Sequence, residues 1–112
     1  MEARNTNRIK VQLRAEIISG GNSHDGLVEN LSLRGICVTT SPTASAINFI
    51  PGTSQMLKFK LNSDDTIDLR CDARWLHSFL LPNSDVVNTL GLQIVSPQLK
   101  YLEYVNTLKI NY

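Results

Sequence analysis

The sequence predicts a mainly β fold: a six-stranded antiparallel barrel followed by one C-terminal α-helix. Three observations carry that expectation. Apolar and polar residues alternate over most of the chain, turn-forming residues interrupt the alternation at short intervals, and the period becomes helical only near the C-terminus. In the first strand Ile9, Val11, Leu13, Ala15 and Ile17 alternate with Lys10, Gln12, Arg14 and Glu16, the pattern of a ribbon with one face buried. The run Ser19-Gly20-Gly21-Asn22-Ser23 tolerates positive φ and turns the chain into a second extended segment, from about Asp25 to Leu31. Ile36 to Thr40 is short and β-branched, Pro51-Gly52 marks a turn, and Met56 to Leu61 interleaves apolar residues with Lys58 and Lys60. These are the third and fourth strands. Beyond Asn62-Ser63-Asp64-Asp65, the inward set Ile67, Leu69, Cys71, Ala73 and Trp75 alternates with Asp68, Arg70, Asp72 and Arg74, which makes a fifth strand with Trp75 in the core by default and a stacking contact as its minor alternative. Phe79 to Asn88 reads as a loop around Pro82, and Leu90 to Val95 as the sixth strand. Ser96 can cap a helix, Pro97 suits its first turn, and Leu99, Leu102, Val105 and Leu108 recur at helical spacing. Closing the strands into a barrel removes edges that would otherwise aggregate.

Composition excludes several functions. A chain of 112 residues is expected to be one domain over residues 1–112, without room for a two-domain enzyme. Eleven basic and ten acidic residues leave +1, too little field to draw the whole molecule onto nucleic acid or an anionic membrane, so any anion site is local. No apolar stretch approaches the roughly 18 residues that span a bilayer, and Met1 to Lys10 is too polar for a signal peptide, so the chain is expected in the cytoplasm. Cys37 and Cys71 lie in alternating apolar runs and read as reduced core thiols, and His24 and His77 share no metal-ligand spacing with them. No nucleophile elbow, zincin helix or phosphate-binding glycine loop occurs, and no carboxylate pair has an apolar setting suited to acid–base work. Catalysis has no visible seat.

Two short segments carry recognition chemistry. Arg4-Asn5-Thr6-Asn7-Arg8 places two arginines four apart just before the first strand, on an arm (residues 1–8) expected to be flexible. Each guanidinium offers five fixed donors that match a phosphate or the O6/N7 edge of guanine, and a flat face for stacking. In Asn30-Leu31-Ser32-Leu33-Arg34-Gly35, an extended chain puts Asn30 and Ser32 on one face with Leu31 inward. Gly35 either lets a flat ligand approach the backbone or permits a left-handed turn. Taken singly, the first segment reads first as a solvated terminus and the second as an ordinary Asx or Ser turn.

Together, in this order and at this spacing, RxxxR and [D/N]xSxxG resemble the PilZ domain family, whose members are receptors for the bacterial second messenger cyclic di-GMP. The matching residues are Arg4, Arg8, Asn30, Ser32 and Gly35. The resemblance continues through Pro51-Gly52-Thr53, Arg74-Trp75 and Leu90-Gly91-Leu92-Gln93-Ile94, nearly the whole chain. It implies a split-barrel type of fold, cyclic di-GMP as ligand with no metal or other cofactor, and a protein effector that receives the signal. Arg4 and Arg8 would swing over the barrel mouth onto phosphate and guanine, Asn30 and Ser32 would bind from the strand side, and Gly35 would leave room. Two positions depart from the common pattern. Asn30 replaces a frequent Asp, keeping the acceptor but forgoing a charge-assisted bond, and Arg34 stands where a second glycine is frequent, either adding a cation or pointing into solvent. Whether one ligand or a stacked pair binds stays open. The alternative function is a PilZ-fold interaction module of pilus or motility machinery that does not use the nucleotide. A nucleic-acid-binding barrel is disfavoured, because the aromatic residues are not interleaved with basic ones across the strands.

Overall fold

The computed structural model describes residues 8–44, 52–61 and 63–110, and shows six strands and one helix in the expected order. They are β1 (Ile9–Ser19), β2 (Asn22–Leu31), β3 (Gly35–Thr40), β4 (Ser54–Lys60), β5 (Thr66–Leu80), β6 (Val86–Ile94) and α1 (Leu99–Ile110). All neighbouring strands are antiparallel, and the barrel closes in the order β1-β2-β3-β6-β5-β4, with β4 returning to β1. Gly20 and Gly21 both have positive φ (58° and 84°), which allows a two-residue turn whose twist suits the β1–β2 hairpin. β2 therefore begins three residues earlier than the sequence suggests.

The core is built in rows that cross the sheet. Ile9, Leu31, Ile36, Leu92 and Ala73 are successive partners from β1 to β5, and all are buried. The next row, Leu13, Val28, Val38 and Leu90, ends on the half-buried Leu76. Each fully buried Ile, Leu or Val here contributes about 1.5–3 kcal/mol by leaving water. Across the barrel Ile17, Leu57 and Leu69 pair in the same manner. α1 buries Tyr101 and Val105, one helical turn apart, and the Tyr101 ring meets Phe59 edge-on with centroids 6.4 Å apart. Among the described residues no helix is long and apolar enough to cross a membrane.

Four expectations need correction. Trp75 is 41% exposed and lies outside the barrel rather than in it. The cause is a β-bulge: Ala73 pairs with Leu92 and Trp75 with the very next residue, Gly91, so Arg74 and Trp75 both face outward and the alternation resets at Leu76. That reset, with His77 and Ser78 breaking the apolar pattern, hides the strand's continuation. β5 runs on to Leu80 and β6 starts at Val86, so half of the expected loop is a hairpin arm, with exposed Phe79 and Leu80 near its tip. Cys71 is a core thiol, but Cys37 faces outward between the buried Ile36 and Val38 and is half-buried. The helix starts at Leu99, three residues after Ser96, and Leu99 itself is 70% exposed while Tyr101 takes the buried face.

Candidate functional site

Arg8, the one described residue of the first recognition segment, meets the second segment on the outer face of the barrel. Arg8 lies immediately before β1, and its Nη1 donates to Asn30 Oδ1 across the hairpin at 2.7 Å. Its Nη2 hangs over Gly35, 3.3 Å from where a Cβ on that glycine would stand. Gly35 is not among the positive-φ residues, so its role is space and not backbone conformation. The missing side chain is the slot in which the guanidinium rests. Arg4 and its arm lie outside the described residues.

Asn30 owes its direction to a second bulge. Val28 pairs with Val38 and Asn30 with Cys37, which leaves Glu29 as an extra residue, so Glu29 and Asn30 point outward together between the inward Val28 and Leu31. Ser32 is placed differently from Asn30. It follows β2, is buried, and its hydroxyl oxygen accepts from Gly35 N at 3.1 Å while lying 3.3 Å from Gly35 O. A backbone bond from Ser32 N to Gly35 O at 2.9 Å completes the turn. Ser32 thus forms the floor of the site and shapes it, instead of standing beside the Asn30 amide. The Arg34 side chain is exposed; its carbonyl accepts from Ile94 N at 2.8 Å and ties the turn to β6.

Outward from Asn30 the partners in register are Cys37 on β3, Gly91 on β6 and Trp75 on β5. The β2 and β5 bulges flank this stretch, and the row continues from Asn30 to Lys10 on β1, beside a further register shift. Trp75 leans onto the glycine: a Cβ on Gly91 would come within 2.1 Å of the indole nitrogen. In the neighbouring row Gly35 pairs with Gln93, whose Oε1 accepts from Arg74 Nε. The site therefore has a cation at each side, Arg8 and Arg74, and an aromatic platform flanking it. Sequence reading missed Arg74, Gln93 and Cys37 as neighbours and placed Trp75 in the core. The signal available was Gly91, a glycine inside an otherwise apolar strand, which marks a close approach by another group. Burial and the nearby Glu29 carboxylate push the Cys37 thiol up from its ordinary 9.0, while Arg8 acts against them. Among the described residues no group of three His, Cys, Asp or Glu side chains could hold a metal ion.

Fold and site together define a small closed β-barrel with a cluster of polar groups around the turn between its second and third strands. The sequence matches the PilZ domain family over residues 2–107, and the chain belongs to that family. Similar solved structures include MotI/DgrA, an inhibitor of motility from Bacillus subtilis (20% identity, TM-score 0.71, covering 99% of this chain and 53% of that one). The PilZ domain of Escherichia coli YcgR with c-di-GMP gives 10% identity and TM-score 0.74, covering 98% of this chain and 94% of that one. The K. pneumonia MrkH–c-di-GMP complex gives 11% and 0.71, covering 99% and 52%. The chain thus spans about half the length of MotI and MrkH and nearly all of the YcgR PilZ domain. No curated protein sequence matches it.

Proposed function

We propose that this chain is a cyclic di-GMP receptor domain, one domain over residues 1–112, acting in the cytoplasm by binding and not by catalysis. The ligand lies on the outer face, with Arg4 and Arg8 on phosphate and guanine, Asn30 on a guanine edge, Ser32 as floor and Gly35 as clearance. Binding orders the arm that carries Arg4 and so alters the surface presented to a protein effector. The supporting observation is the meeting of Arg8 with the second motif: Arg8 bonds Asn30 and lies over Gly35, although 22 residues separate Arg8 from Asn30 in sequence. Arg74 and Trp75 add a further cation and a stacking surface to the same face.

Titration calorimetry with cyclic di-GMP tests this directly. Arg8→Ala removes a charge-assisted contact worth about 1.5–3 kcal/mol, so affinity should fall by roughly one to two orders of magnitude. Unchanged affinity would reject the site. Thermal shift separates the receptor from a nucleotide-independent interaction module, because saturation at about 100 times Kd stabilises the native state by about 2.7 kcal/mol and raises Tm visibly. No shift would favour the module.

A further inference from the structure

We propose that Tyr101 is a positioning residue for the recognition turn: its phenol, delivered by α1, fixes the Ser32 carbonyl and thereby the Gly35 slot in which Arg8 rests. The inference rests on the receptor reading for its ligand, and on the following geometry for its mechanism.

β2 and β3 stop pairing at Leu31 and Ile36, so the Ser32 carbonyl lies just past the end of the ladder, where no strand partner receives it. In a buried place such an acceptor needs a donor. Tyr101 supplies it: its hydroxyl donates to Ser32 O, and the tyrosine is fully buried. The turn is then held from three directions. Its own bonds join Ser32 to Gly35, Ile94 N on β6 holds Arg34 O, and Tyr101 on α1 holds Ser32 O. Only the last comes from outside the barrel, across 69 residues of sequence. The ring, wedged edge-on against Phe59, keeps this donor in place, while Val105 buries the next turn of the helix. Burial, with Cys71 nearby, also pushes the phenol well above its ordinary 10.0, so it stays protonated and able to donate throughout the neutral range. Release of the Ser32 carbonyl frees the turn to rotate, and Gly35 moves with it; the slot beneath Arg8 is then no longer held ready for the ligand. By linkage, ligand that needs the ordered turn favours the Tyr101–Ser32 hydrogen bond to the same extent.

The test compares Tyr101→Phe, which keeps the ring against Phe59 and removes one oxygen, with Val105→Ala, which loosens helix packing and leaves the hydrogen bond. Two measurements are made on the full chain: cyclic di-GMP affinity by calorimetry, and amide hydrogen exchange in the free protein. Tyr101→Phe should weaken binding about five- to tenfold, the size of one lost buried hydrogen bond, and speed exchange at the Arg34 and Gly35 amides. Val105→Ala should lower the unfolding midpoint but leave affinity within about twofold. Affinity within twofold in Tyr101→Phe, an equal loss in Val105→Ala, or unaltered exchange at the turn would each overturn the positioning role. If the wild-type protein ignores cyclic di-GMP, the receptor reading fails alone, and the exchange rates of free Tyr101→Phe still decide whether the phenol holds the turn.

Discussion

Substituting Gly35 by alanine isolates the slot from the rest of the fold. The backbone at Gly35 is not left-handed, so alanine fits it without strain, and losing a glycine restricts the unfolded chain, a gain of about 0.4–1 kcal/mol. Against this stand three contacts for the new methyl: Arg8 Nη2 at 3.3 Å, Leu92 O at 3.4 Å and Ser32 Oγ at 3.9 Å. The last two are at or near ordinary contact distance, so the group that yields is the end of a flexible, exposed side chain. A shift of a few tenths of an ångström stretches the 2.7 Å bond from Arg8 to Asn30 without breaking it. A charge-assisted bond is worth about 1.5–3 kcal/mol, so weakening it by about half costs about 1 kcal/mol, or fivefold in affinity. The glycine gain and the weakened bond nearly cancel in the free protein, so urea unfolding should show Gly35→Ala within about 0.5 kcal/mol of the wild type, while calorimetry shows the loss in cyclic di-GMP binding. In an Arg8→Ala background most of that loss should vanish, since the methyl then displaces nothing. A destabilised variant with full affinity, or a loss that persists undiminished without Arg8, would refute the claim that this glycine exists to seat the guanidinium.

Two further outcomes follow from the same structure. Gly91→Ala forces Trp75, the only tryptophan, off the sheet, because the new methyl would meet its ring at 2.1–2.7 Å; the intrinsic emission should shift to the red, and an unmoved spectrum would contradict the packing. Burial raises the Cys71 thiol from 9.0 to about 12, so the folded protein keeps a proton that the unfolded chain loses. Stability should be unaffected by this group below about pH 9 and fall by about 1.4 kcal/mol per pH unit from there toward pH 12. Cys71→Ala should remove one proton's share of that slope in urea titrations, and an equal slope in both proteins would show that the thiol is not its source.

The alternating runs from Ile9 to Ile17 and from Ile67 to Ala73 were enough to place β1 and the first half of β5, because one wet and one dry face impose a period of two on any half-buried strand. Paired glycines at 20 and 21 likewise announced the first hairpin, since few other residues adopt positive φ without strain. The chemistry of the site was legible too: guanidinium, amide, hydroxyl and a bare glycine are visible as residue types at Arg8, Asn30, Ser32 and Gly35. Geometry within that set was not. Nothing in the order of residues says that Ser32 turns its hydroxyl down onto Gly35 while Asn30 turns its amide up toward Arg8.

Local pattern also misplaced Trp75, because a single extra residue at a bulge inverts every side chain beyond it, and a bulge depends on how a neighbouring strand packs and not on the residues that form it. The contact between Tyr101 and Ser32 is still further from sequence, joining positions 69 apart through a helix whose apolar spacing pointed to Leu99 and Leu102 instead. Strand periodicity, turns and the inventory of recognition groups were thus set by local stereochemistry and solvation. Which face each group occupies, and what holds it there, was decided only when the barrel closed and brought distant strands and the helix into one packed interior.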